Sequence, residues 1–142
     1  MTFQLHPRLQ QDSITLGQFN LSRLLLCNDS QYPWFILVPQ RPDISEIFQL
    51  SAMDQQLLQQ ESCLLAKTLA TLYQADKMNI AAIGNIVPQL HIHHIVRYQT
   101  DIAWPAPVWG KYEPIPYSTE QQHRVILQIK NILGSQGLEA RI

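Results

Sequence analysis

Leu57, Leu58, Leu64, Leu65, Leu69 and Leu72 recur at three-, four- and seven-residue intervals, so they fall on one stripe of a helix. The spacing predicts a helix over about 51–75, with Ser51 as its cap and Asp54 in a first turn where carboxylates are favoured. A helix with a single apolar stripe must bury it against another layer. The flanking sequence offers strands for that purpose. "ITLGQFN" (14–20), "LSRLLLCND" (21–29) and "WFILVPQ" (34–40) come before the helix, the last bounded by Pro33 and Pro39, residues poor in the middle of a sheet. "KMNIAAIG" (77–84) and "QLHIHHIVRY" (89–98) come after it. The stretch from Asp101 to Pro116 is rich in Pro and Trp and reads as an irregular loop. "STEQQHRVILQIKNILG" reads as a closing helix over about 118–134, with Ser118 and Gln121 at capping-box spacing and Gly134 suited to the stop. Strands, a long helix and further strands indicate an α+β domain with an antiparallel sheet.

The 142 residues suit one domain, 1–142, with a core over about 14–98. The net charge of −1 supplies no broad basic field to hold nucleic acid or an anionic membrane, whereas local groups could still grip a small anion. Cys27 and Cys63 read as two buried thiols in a reducing compartment rather than a disulfide. "MTFQLHPRLQQD" lacks a basic start followed by an apolar core, so no secretory signal is read there. No apolar stretch approaches the ~20 residues that cross a bilayer. A soluble, cytoplasmic protein is the expectation.

Three of the five histidines stand within "GNIVPQLHIHHIVR" (84–97). Strand side chains alternate, so Gln89, His91, His93 and Ile95 share one face, and Leu90, Ile92, His94 and Val96 share the other, toward the helix. Same-face neighbours lie roughly 7 Å apart, so one ligand several atoms long can meet the whole row. Three chemistries suit it. The rings can be half-exposed strand residues satisfied by hydrogen bonds. They can chelate a metal, but a third ligand is wanted and Arg97 and Tyr98 stand where an acid would be expected. Or a neutral imidazole can attack phosphorus near pH 7, with its neighbour holding phosphoryl oxygens or helping the leaving group. His94 reads as a core-side imidazole bonded to backbone, and His6 and His123 as surface residues.

The same stretch resembles the histidine-triad nucleotide hydrolases and transferases, whose signature is His-φ-His-φ-His-φ-φ (φ apolar) after a Gly-Gln turn. The triad positions fall on Gln89, His91 and His93. "LLLCNDSQYPWFILVPQRP" is similar to the family's strand, Asn, turn and strand entry, and about 19–98 is covered. The resemblance implies a five-stranded antiparallel sheet with a long helix and a C-terminal helix, a homodimer, and action on nucleotides of the diadenosine polyphosphate type. The sequence itself shows no reason to require a cofactor or a metal in the site, although a divalent cation could accompany a polyphosphate. On the resemblance, His91 attacks the α-phosphate, His93 binds phosphate oxygens or assists departure, Asn85 donates to phosphate and Asn28 meets the ribose. Gln89 in place of the first His can hold a hydrogen bond but cannot titrate. Pro33-Trp34 stands where Gly-His is common, and Val96 where Pro is usual. The runner-up is a non-catalytic nucleotide-binding module.

Within the 101–112 loop, Trp104, Trp109 and Tyr112 offer faces for a purine, Trp109 above all, with Lys111 near for phosphate; the plainer reading is a loop that seals the sheet edge. Arg97 could neutralise phosphate if the strand stays regular to its end, and Asp43 and Glu46 read as the start of a helical segment. Neither a phosphate-cradling GxxxxGK[ST] loop nor a Gly-x-Ser-x-Gly elbow is present.

Overall fold

The computed structural model describes residues 2–140. A short helix α1 (Pro7–Asp12) precedes β1 (Ser13–Gln18), β2 (Ser22–Cys27) and β3 (Trp34–Pro39). The long α2 (Ala52–Tyr73) follows, then β4 (Lys77–Ala81), β5 (Ile92–Arg97) and α3 (Thr119–Leu133). The strands form one antiparallel sheet in the order β1-β2-β3-β5-β4, so the β4–β5 pair that follows α2 docks through β5 beside β3 and leaves β4 at one edge. This is the expected α+β fold with a five-stranded antiparallel sheet.

Both faces of the sheet are covered. Leu24, Leu26, Phe35, Leu37 and Val96 pack against Leu65 and Leu69 of α2 and Ile129 and Leu133 of α3. On the other face, Leu25, Trp34, Ile36 and Ile95 pack against Leu9 of α1 and against Ala103 and Val108 of the loop after β5. Hence β3 and β5 are buried along their whole length, which explains their near-continuous apolar sequence. Ser51 Oγ accepts from Asp54 N–H at 3.1 Å, and Ser118 and Gln121 form the capping box as spaced. The leucine stripe of α2 is interrupted by buried Glu61, whose carboxylate accepts Leu21 N–H at 2.8 Å and Ser22 N–H at 3.0 Å. That acid ties the β1–β2 turn to the helix.

Three expectations need correction. Gly134 does cap α3, which ends at Leu133, but with a right-handed backbone (φ −58°) that runs on into a short 3₁₀ turn, and the left-handed conformation falls at Gly137 (φ 103°), which closes that turn. Cys63 is exposed and Cys27 half-buried, both as free thiols, so neither is the deeply buried pair expected. Asp43 sits in a left-handed turn (φ 57°), and Glu46 caps a three-residue 3₁₀ segment, too short for a dipole argument. Among the described residues no helix is long and apolar enough to cross a membrane.

Candidate functional site

The site lies on the sheet face covered by α1 and the loop after β5. β5 and β3 pair with Ile36 opposite His93 and Trp34 opposite Ile95, so the indole of Trp34 reaches diagonally to the ring of His93. Trp34 Nε1–H donates to His93 Nδ1 at 3.0 Å. Because an indole nitrogen is donor-only, the neutral His93 ring carries its proton on Nε2. Trp109 completes a three-ring edge-to-face cluster, 5.1 Å from His93 and 5.7 Å from Trp34 between centroids.

His91 stands next to His93, with ring centroids 4.9 Å apart. Its Nδ1 lies 2.7 Å from the Gln89 carbonyl oxygen. A carbonyl accepts and never donates, so Nδ1 bears the hydrogen and Nε2 keeps its lone pair. Burial lowers the pKa of His91 from its ordinary value, the Gln89 bond opposes that shift, and the nearby His6 imidazole adds to it. His93 is pushed down to about 4, first by burial and then by the His91 and His94 charges, with the Ile83 backbone pulling the other way. Both rings are therefore neutral near pH 7, and the one with a free nucleophilic nitrogen is His91.

His91 borders two hollows. A cleft of about 420 Å³ is lined mainly by apolar groups, among them Trp34, Ile36, Ile83, Val87 and Trp109, with His93 in its wall. A more polar hollow of about 270 Å³ is lined by Ser45, Glu46, Asn85 and Gln89, and His91 again forms part of its wall. Asn85 is exposed and borders both hollows. Gly84, before it, has no room for a Cβ: one would meet the Val87 carbonyl oxygen at 2.7 Å. That close approach curls residues 84–88 back beside His91.

Other expected residues are placed less directly. Gln89 reaches away from the row: its Oε1 accepts from His6 N–H at 2.9 Å and its Nε2 donates to the Gln4 carbonyl at 2.9 Å. Asn28 borders a neighbouring cavity of about 500 Å³ that also contains Trp109 and Tyr112, and its Oδ1 accepts from Tyr117 N–H at 2.9 Å. Trp109 lines both that cavity and the 420 Å³ cleft. Arg97 does keep the parity of the histidine face, but it is buried (1% exposed) and committed elsewhere. Its guanidinium forms two hydrogen bonds to Asp101, at 2.8 and 3.0 Å, and reaches Asn79 Oδ1 and the Ala106 carbonyl. It anchors the loop rather than a phosphate. His94 is fully buried on the helix face, with Nδ1 against the Ile92 carbonyl and Nε2 at 2.7 Å from Ser62 Oγ, the core-side role its parity indicates. Among the described residues no group of three or more His, Cys, Asp and Glu is placed to hold a metal ion.

Sequence reasoning missed the N-terminal segment. Arg8, Leu9 and Asp12 of α1 line the 420 Å³ cleft, and His6, read as a remote surface residue, is brought beside Gln89. The available cues were weak: Pro7 at the first helical position and a side-chain cap from His6 Nδ1, which accepts Arg8 N–H at 3.0 Å.

Comparison with known proteins agrees with this geometry. The HIT domain family matches residues 8–100. A histidine triad protein from Marinobacter aquaeolei VT8 is 50% identical with a TM-score of 0.93, over 95% of this chain and 98% of that one. A histidine triad protein from Bradyrhizobium japonicum is 40% identical (TM-score 0.91) and one from Sinorhizobium meliloti 44% identical (TM-score 0.90), each over 93% of this chain and 98% of its own. No curated protein matches the chain.

Proposed function

The chain belongs to the HIT domain family, and from that premise we propose that it is a nucleotide phosphohydrolase. It acts at the α-phosphate of dinucleoside polyphosphates or related adenylylated small molecules through a nucleotidyl-histidine intermediate. The observation that carries this reading is the His91 ring: Nδ1–H held by the Gln89 carbonyl at 2.7 Å, and the Nε2 lone pair kept for phosphorus.

In the first step Nε2 of His91 forms a bond to the α-phosphorus while the bond to the leaving group breaks, and that electron pair departs with the leaving group. Water then adds to phosphorus, the P–N bond breaks, its electron pair returns to Nε2, and the water proton passes to solvent. His93, neutral at pH 7 with Nδ1 taken by Trp34 and its Nε2 hydrogen directed at the Ile83 backbone, can turn that hydrogen to a phosphoryl oxygen but is poorly fitted to protonate a leaving group. Asn85 supplies a further donor at the junction of the two hollows. The apolar cleft beside Trp34 and Trp109 suits a nucleoside, which leaves the polar hollow for the departing group.

One observation favours the non-catalytic alternative: Gln89, at the first triad position, is engaged with the N-terminal backbone and brings no titratable group. Offering adenine nucleotide conjugates to wild type and to His91→Ala separates the two. Turnover, and an acid-labile mass gain of one nucleotide on wild type but not on His91→Ala, is the expected result. Equal binding without turnover in both proteins overturns it.

A further inference from the structure

The residue that replaces the first triad histidine holds another histidine in place. The Gln89 amide accepts from His6 N–H and donates to the Gln4 carbonyl, each at 2.9 Å, as a neighbouring strand would pair with that segment. The segment is thereby fixed 83 to 85 residues away in sequence, next to the catalytic strand. His6 lines a hollow of about 350 Å³ with Asp43, Ser45, Pro88 and Gln89. Ser45, Pro88 and Gln89 also line the polar hollow that ends at His91, so the two hollows adjoin. His6 Nδ1 is occupied as an acceptor from Arg8 N–H, so the neutral ring carries its hydrogen on Nε2, a donor available to a ligand. Proximity shows in the electrostatics too: the His6 ring disfavours protonation of His91.

We propose that His6 is a substrate-contacting residue of this site, donating a hydrogen bond from Nε2 to the leaving group while Gln89 holds it there. The inference rests on the phosphohydrolase reading and on the assignment of the polar side to the departing group. It gives the altered triad position a task. Gln89 does not stand in for a lost imidazole chemically; it recruits one from the N-terminal segment. Asp43 and Glu46, on the same side, suit a departing group that brings hydrogen-bond donors of its own. A bond from His6 strengthens as negative charge develops on the departing atom, so its value depends on how badly the leaving group needs help.

That dependence supplies the test. Esters of adenosine monophosphate with leaving groups from acidic nitrophenol to a simple alkyl alcohol are offered to wild type, His6→Ala, His6→Gln and Gln89→Leu. The expected result is a kcat loss of roughly 10- to 100-fold for His6→Ala on the poorest leaving group, shrinking to within about threefold on nitrophenol. His6→Gln, which keeps an N–H donor, recovers part of the loss, and Gln89→Leu shows the same leaving-group bias through its broken tether. An equal loss across all leaving groups, or none, overturns the inference while His91-dependent turnover by wild type leaves the parent reading standing. If turnover survives His91→Ala, or wild type turns over neither these esters nor the adenine nucleotide conjugates, the parent reading falls and this one with it; turnover of the conjugates with none of the esters overturns the inference alone.

Discussion

The bond from Trp34 to His93 decides which nitrogen of that ring bears the hydrogen, and so what the ring can do for a phosphate. Trp34→Phe keeps an aromatic ring but removes the donor, leaving a buried acceptor unsatisfied at a cost of about 1–3 kcal/mol. The lost ring volume adds to that cost, so stability alone does not isolate the hydrogen bond. Nitrogen-15 shifts of the imidazole do. We expect wild-type His93 to show a single Nε2–H tautomer and Trp34→Phe a mixture, with a lowered kcat; a single unchanged tautomer in the variant would show that Trp34 merely packs there. The residues of the histidine row were legible because alternation is a local rule: His91 and His93 share a face, and His94 points to the helix. The tautomers were not, since each depends on a partner from elsewhere, the Gln89 carbonyl for one ring and the Trp34 indole for the other.

At the scale of elements, the loop after β5 is held by one buried ion pair. Arg97 and Asp101 have side chains 1% and 5% exposed, and the Asp101 carboxylate also accepts from Tyr98, Ala103 and Trp104 N–H. Burial alone would raise the Asp101 pKa, but hydrogen bonds from Arg97 and the backbone, with the Arg97 charge, hold it below its ordinary value. Asp101→Asn leaves the guanidinium buried without its countercharge, and we expect a loss of about 3 kcal/mol in urea unfolding. The wall carrying Trp109 loosens with it, so KM should rise more than kcat falls. Unchanged KM would mean that the loop does not shape the cleft. Element boundaries show where local pattern stops being informative. The apolar alternation of "QLHIHHIVRY" predicts a strand from 89, yet β5 begins at Ile92. Pro88 has no N–H to offer, Leu90 N–H goes to the Ile44 carbonyl, and the Gln89 side chain goes to residues 4 and 6. The bonds that would have extended the ladder are spent on other segments. α1, with six residues, is too short for a periodic signal.

For the whole molecule, the fold was readable because the helix stripe, the caps and the strand alternation point to the same two-layer answer. What the sequence concealed is the second cover of the sheet, made of the N-terminal segment and the loop after β5, whose contacts are irregular and distant in sequence. That cover is also what buries His93, while α2 buries His94 on the opposite face, and the two buried rings make stability depend on acid. His93 and His94 are each held to about 4 against an ordinary 6.5. The folded chain keeps both rings neutral while the unfolded chain takes up protons, so their contribution is complete above pH 6.5 and is lost as pH falls toward 4. At about 1.4 kcal/mol per unit and per ring, the loss is on the order of 3 kcal/mol for each. Denaturant midpoints at pH 8, 6 and 5 should fall in that order, and His94→Leu should flatten part of the slope; a midpoint independent of pH over that range would contradict the burial of these rings. Two of the chain's three tryptophans, Trp34 and Trp109, stand edge-on to His93 at the mouth of the cleft. An arriving base or a charged imidazole must alter their emission, so the protein carries its own optical reporter and occupancy can be followed by light without attaching a dye.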